Sequence, residues 1–154
     1  MRSRLLALAL VLAACSSSTP RIEHQTIEGG PGQAIEVELV SATNLQVLLP
    51  GPQIPQAIHL QFQISNNSND AVTVEHIQVD QNGNSPFQTE PAQGNFNETI
   101  EPGHDHVFDV TVAAKQVSAP RLGQNNSLVI RVVVTLSNGD SYVYHFAIPV
   151  GDLG

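Results

Sequence analysis

The chain has 154 residues and a formal net charge of −8, and loss of a leader carrying Arg2 and Arg4 would make it more negative still. Phosphate backbones and anionic headgroups repel such a surface, which excludes nucleic-acid binding, and no basic amphipathic stretch is present to hold the chain on a bilayer. A single cysteine, Cys15, allows no intrachain disulfide, so the domain has to be held by its core alone.

The chain begins with two arginines ahead of an apolar run from Leu5 to Leu12, followed by Ala13, Ala14 and Cys15. This is a charged region, an apolar region and a small-residue cleavage site, the layout of a secretory leader. The run is far shorter than the roughly twenty residues that span a bilayer as a helix, so it is expected to be removed. Leu12-Ala13-Ala14-Cys15 resembles the lipobox of bacterial lipoproteins. The resemblance implies a diacylglycerol thioether on the Cys15 thiol, the strong nucleophile of the segment, and cleavage that leaves Cys15 first. It also implies a cell-envelope location, the outer membrane where the organism has one, because Ser16 rather than Asp follows the cysteine. Several acyl chains, at about 0.8 kcal/mol per buried methylene, would make attachment effectively permanent. The covalent lipid is the only group expected on the protein, with no other cofactor.

Three regions are therefore expected: a signal peptide over 1–14, a lipidated cysteine with a flexible tether over 15–33, and one domain over 34–154. Ser16-Ser-Ser-Thr-Pro20 and Gly29-Gly-Pro-Gly32 give the tether its coil-like composition. About 120 residues beyond it suffice for one hydrophobic core.

From Ala34 onward, short apolar runs with period two alternate with turn residues. Ile35-Glu-Val-Glu-Leu39 and Leu45-Gln-Val-Leu-Leu49 lead to Pro50, Pro52 and Pro55, which suits an edge strand. Ile58, Leu60, Phe62 and Ile64 share one face of a strand whose other face is His59, Gln61 and Gln63. After a turn at Asn66-Asn-Ser-Asn-Asp70, Val72 and Val74 run in even phase and Ile77 and Val79 in odd phase, so a β-bulge or a change of sheet is expected at Glu75-His76. Residues 81–98 read as a polar connection. Pro102-Gly103 turns the chain into a strand that places His106, Phe108, Val110 and Val112 on one face. A second polar stretch, residues 115–127, leads to the last hairpin.

That hairpin pairs Leu128, Ile130, Val132, Val134 and Leu136 with Tyr142, Tyr144, Phe146, Ile148 and Val150. A two-residue Asn138-Gly139 turn would set Val132 opposite His145 and split the apolar sets. A three-residue loop, Ser137-Asn-Gly139 with a left-handed Gly139, sets Val134 opposite Tyr142 and Val132 opposite Tyr144, and that register is expected.

About seven short strands without helical periodicity predict an all-β, antiparallel, two-sheet immunoglobulin-like sandwich. Leu60-x-Phe62-x-Ile64-x-Asn66-x-Ser68, followed by Ile100-x-Pro102-Gly103 and an alternating strand, resembles bacterial immunoglobulin-like and fibronectin-III-like modules, and more faintly the LEA14-type domains of some lipoproteins.

Candidate chemistry is sparse. His104 and His106, two apart, could share a metal if His59, His76 or His145 supplied a third ligand; alternatively His106 caps the core while His104 lies in a solvated turn. No nucleophile elbow or phosphate-binding glycine loop is present, and the carboxylates follow no catalytic spacing, so an enzyme is not expected. Val129, Val133, Val143 and Ala147 give the last hairpin a second, partly apolar face that could bind a partner, be covered by the strand from Ile35, or mark a central strand. The expected function is that of a membrane-anchored, non-catalytic interaction or structural module whose partner is another envelope protein. The alternative is metal binding at His104 and His106.

Overall fold

The structure, a computed structural model, describes residues 25–43, 55–118 and 127–149. The leader, Cys15, the Leu45–Leu49 run and Val150 lie outside the described residues. Those described form β1 (Thr26–Glu28), β2 (Ile35–Thr43), β3 (Gln56–Asn66), β4 (Val72–Gln81), β5 (Phe87–Thr89), β6 (Ala92–Ile100), β7 (Asp105–Gln116), β8 (Ser127–Leu136) and β9 (Ser141–Pro149). One sheet runs β1-β9-β8-β4-β6 and the other β2-β3-β7-β5.

All pairings are antiparallel except that of β1 with β9. The two orders follow the immunoglobulin-like plan in most places, with β2, β3, β7 and β5 in places A, B, E and D and β9, β8 and β4 in places G, F and C; β6 lies beside β4 where C′ would, but it follows β5 in the chain, whereas C′ precedes D in that plan. The protein is an all-β two-sheet sandwich, as the alternating pattern predicts.

The core fills the space between the sheets. Ile58, Leu60, Phe62 and Ile64 of β3 and Phe108, Val110 and Val112 of β7 project from one side. Val74, Ile77 and Val79 of β4 and the even residues Leu128 to Leu136 of β8 project from the other. Phe62 meets Phe146 with ring centroids 5.9 Å apart, which ties a central strand of one sheet to β9 of the other.

Local expectations are met at two irregular points. The register of β4 shifts between Val74 and His76 against both neighbours, and opposite β8, where the partners Leu136 and Thr135 are consecutive, Glu75 is the extra residue of a bulge that turns the even apolar phase into the odd one. The last hairpin sets Val134 opposite Tyr142 and Val132 opposite Tyr144. Its loop closes with Gly139 N–H donating to the Leu136 carbonyl at 2.8 Å, and Gly139 sits at φ 88°, where a side chain would be strained.

Two expectations need correction. Residues 81–98 are not simply a connection, because they hold β5 and most of β6. β6 hides its strand character: its outward residues Gln93, Asn95, Asn97 and Thr99 are polar, and two of its inward positions are small, Ala92 and Gly94. Phe96 compensates by laying its ring over Gly94, where an added Cβ would lie 2.7 Å from ring carbons, and by meeting Phe108 edge-on at 4.9 Å. The second correction is at the tether, whose last part is ordered: Thr26–Glu28 is β1, paired in parallel with Ser141–Val143. A three-residue strand with one apolar residue, Ile27, leaves no readable period in a sequence.

Candidate functional site

The two long sides of the sandwich differ in how far their main-chain groups are used. In an antiparallel pair, successive residues point their N–H and C=O alternately toward and away from the partner strand. On β9, Ser141 N–H donates to Gln25 O at 2.8 Å and Val143 O accepts from Gly29 N–H at 2.7 Å, so the odd residues face away from β8. The same parity on β8 is seen where Val129 O accepts from Asn82 N–H on the β4 side at 2.9 Å. His145 and Ala147 therefore aim their main-chain groups at the outer edge of the sheet. β1 stops at Glu28, opposite Val143, and no described residue pairs with that edge beyond this point.

β1 ends there because the chain turns away through Gly29-Gly30-Pro31-Gly32 toward β2. Gly29 lies directly against the Tyr144 ring, and a Cβ at this position would fall inside it, so glycine is what lets the chain cross here. The Tyr144 hydroxyl donates to the Ile35 carbonyl, joining the edge of β9 to the edge of β2 across the sandwich. Burial, with the negative charge of Glu36 second, raises the Tyr144 hydroxyl above its ordinary pKa.

A cleft of about 550 Å³ opens at this flank, lined by Gly29–Pro31, Glu36–Glu38, Ser65, Tyr144 and His145. Among the described residues that line it, the carboxylates are Glu36 and Glu38. Glu36 accepts the Gly32 N–H through one carboxylate oxygen at 2.6 Å. His145 Nε2 lies 3.7 Å from Glu28 Oε2, while its Nδ1 is 2.8 Å from the Asn82 amide nitrogen. The amide nitrogen can only donate, so Nδ1 accepts and Nε2 carries a proton toward Glu28. Among the described residues the fixed cations are Lys115 and Arg131, and Arg131 is paired with Asp80 on the outer face of β8 and β4 at 3.6 Å. Neither lines the cleft.

The residues singled out from the sequence fall in several places. His104 is exposed in the turn before β7 with Nδ1 3.1 Å from the Pro102 carbonyl oxygen, and exposed His106 rests edge-on against Phe108 at 4.8 Å. His59 is engaged with Thr111 and His145 with Asn82. Among the described residues no three His, Cys, Asp or Glu side chains are grouped closely enough to hold a metal ion. On the last hairpin, Val129 and Val133 are half-buried on the outer face of a central strand, Ala147 is exposed, and Val143 is only 2% exposed. Val143 is not part of an open face because β1 lies alongside it, whereas β2, the strand that could have covered the face, belongs to the other sheet.

The cleft itself was not readable beforehand. It joins Gly29–Pro31, β2 and β9, segments more than about a hundred residues apart in sequence, and nothing in the spacing of Glu36, Glu38 and His145 marks them as neighbours.

The chain matches no known protein family and no curated protein. Among solved structures it is similar to the sporulation control protein Spo0M of Bacillus subtilis, at 13% identity and a TM-score of 0.46, over 76% of this chain and 49% of that one. It thus spans about half the length of the Bacillus protein. It is also similar to a FixG-related protein of Vibrio parahaemolyticus, at 12% identity and a TM-score of 0.39, over 76% of this chain and 96% of that one. A conjugative transposon lipoprotein of Bacteroides eggerthii aligns at 13% identity and a TM-score of 0.37, over 75% of this chain and 96% of that one.

Proposed function

We propose that this chain is a membrane-anchored, non-catalytic interaction module of a bacterial cell envelope, and that it holds an extended segment of another envelope protein along the open edge of β9. The observation that carries this reading is the outward main chain of His145 and Ala147, left unpaired among the described residues where β1 ends and flanked by a cleft. An added strand gains main-chain hydrogen bonds along such an edge, and pockets beside it choose alternate side chains. Ala147, with Val129 and Val133 behind it, gives the same edge an apolar outer surface for the docked segment.

The anchor is the Cys15 lipid implied by the lipobox, with the residues between it and β1 as the tether. Intact mass spectrometry of protein taken from its native membrane tests this part: a mass that starts at an acylated Cys15 supports it, and an unmodified full-length chain overturns it. The docking part is tested with a photo-crosslinker placed at Ala147 or, for comparison, at Gln61 on the outer face of the other sheet. A discrete protein adduct from position 147 in the native envelope, and none from position 61, is expected. Equal labelling from both positions, or none from 147, would refute the edge.

A further inference from the structure

We infer that Asn82 is a site of self-modification, where the chain's own Gly83 nitrogen and a water molecule convert the side-chain amide to aspartate or isoaspartate. The fold withholds the same reaction from the other Asn-Gly pair of the chain, Asn138-Gly139.

The main-chain nitrogen that follows an asparagine can attack the side-chain Cγ, and glycine, having no Cβ, hinders the approach least. The new N–Cγ bond closes a succinimide ring as the Cγ–Nδ2 bond breaks, and the proton of the attacking N–H leaves within ammonia. Water then opens the ring at either carbonyl. One opening gives aspartate, and the other gives isoaspartate, in which the main chain runs through Cγ. The sum is amide and water going to carboxylic acid and ammonia. The reaction requires that the attacking N–H be free to lose its proton and that Cγ be free to swing toward it.

The two pairs differ in both respects. At the hairpin loop, Gly139 N–H donates to Leu136 O at 2.8 Å, so the attacking group is engaged. The Asn138 amide is held at both ends by Asp140: Oδ1 accepts the Asp140 N–H at 3.0 Å, and Nδ2 donates to Oδ2 at 2.9 Å. After β4, Gly83 is exposed, at φ 75°, with open space on the side where a Cβ would stand. Its N–H has no partner among the described residues. The Asn82 side chain is held by one bond, from Nδ2 to His145 Nδ1 at 2.8 Å.

Conversion acts on the ties around this corner. A carboxylate has no N–H to offer, so the bond from Asn82 to His145 Nδ1 ends with the amide. Isoaspartate also adds a methylene to the main chain just before Gly83. The Gly83 carbonyl accepts from Gln81 Nε2 at 3.2 Å, and Gln81 Oε1 accepts the Thr89 N–H of β5 at 3.2 Å. The modified position therefore lies where β4, β5 and β9 are joined.

The test holds the mature chain at neutral pH, native or unfolded in guanidinium chloride. Peptide mapping by mass spectrometry follows conversion at each asparagine. In the native chain Asn82 should convert about tenfold or more faster than Asn138, because two more hydrogen bonds must open at the second site. In the unfolded chain the two rates should converge. Asn82→Gln should lose the fast conversion and leave the slow rate at Asn138 as it was. Equal native rates, or Asn138 leading, would overturn the assignment. So would an Asn82 that stays intact in the native chain while it converts in the unfolded one. A gap that persists after unfolding would overturn the role given to the bonds around Asn138 and Gly139.

Discussion

Two parts of the molecule end their strands in opposite ways. At the corner where β3 leaves its sheet, Asn66 is fully buried, and every polar atom it has is used. Its amide nitrogen donates to the carbonyls of Asp70 and Ile100 at 2.9 and 2.8 Å, and its side-chain oxygen accepts from the N–H and hydroxyl of Ser68. Its main-chain N–H donates to His104 O, and its carbonyl accepts from Gly103 N–H. On the β9 flank the strand edge runs on past β1 with its main chain turned outward and a cleft beside it. Closure at Asn66 locks neighbouring turns into one arrangement, as satisfied buried polar networks do. Among the described residues nothing pairs with the outward main chain of His145 and Ala147, which leaves hydrogen-bonding capacity there. The difference separates the groups that specify the fold from those still available to a partner.

Removing the hub should have the largest effect. Asn66→Ala leaves the carbonyls of Asp70 and Ile100 without this donor and should lower unfolding free energy by about 3 kcal/mol, measured by urea denaturation. A loss under about 1 kcal/mol would show that the corner does not depend on the side chain. Gly103, at φ 74°, is the second element of that corner. Gly103→Ala should cost about 1 kcal/mol, because an L side chain is strained there although nothing obstructs the space around it.

The tyrosines sharpen the contrast from the other side. Burial, and then the negative charge of Asp140 for Tyr142 and of Glu36 for Tyr144, raises both hydroxyls above 10.0. The fold favours their neutral forms, so their contribution is fully present below about pH 10 and is lost as pH rises through the raised values. Urea midpoints should therefore fall above about pH 10, and less steeply in Tyr144→Phe, even though that variant also loses the bond to Ile35 and starts from lower stability. A midpoint that stays level through about pH 11 would contradict the burial of these groups.

Ala147→Pro should have the smallest effect on stability, under about 0.5 kcal/mol, because the N–H it removes points away from β8 and proline is tolerated at a sheet edge. The same change should abolish docking of an added strand. A large loss of stability would mean that this N–H already has a partner.

How much of this was legible in advance follows from what each feature requires. The β3 face, the Glu75 bulge and the Gly139 loop depend on residues near one another in sequence, so phase and turn chemistry reveal them. The motifs Asn66-x-Ser68 and Ile100-x-Pro102-Gly103 could be read separately, but that they are partners, Asn66 to Ile100, needs the three-dimensional path. β6 escaped because an edge strand needs few large apolar residues, and β1 because three residues carry no period. The cleft was invisible because an open edge is a property of strand order: Ala147 looks the same in the sequence whether or not another strand lies beside it.

The most direct test of the open edge is main-chain amide exchange along β9, measured by NMR with and without a capped, extended Thr/Val host peptide. In the free protein we expect Phe146 and Ile148, which bond to β8, to be protected and His145 and Ala147 to exchange rapidly; with peptide, His145 and Ala147 should become protected. Protection of His145 and Ala147 already in the free protein, or no change on saturation with peptide, would contradict an edge that receives a strand.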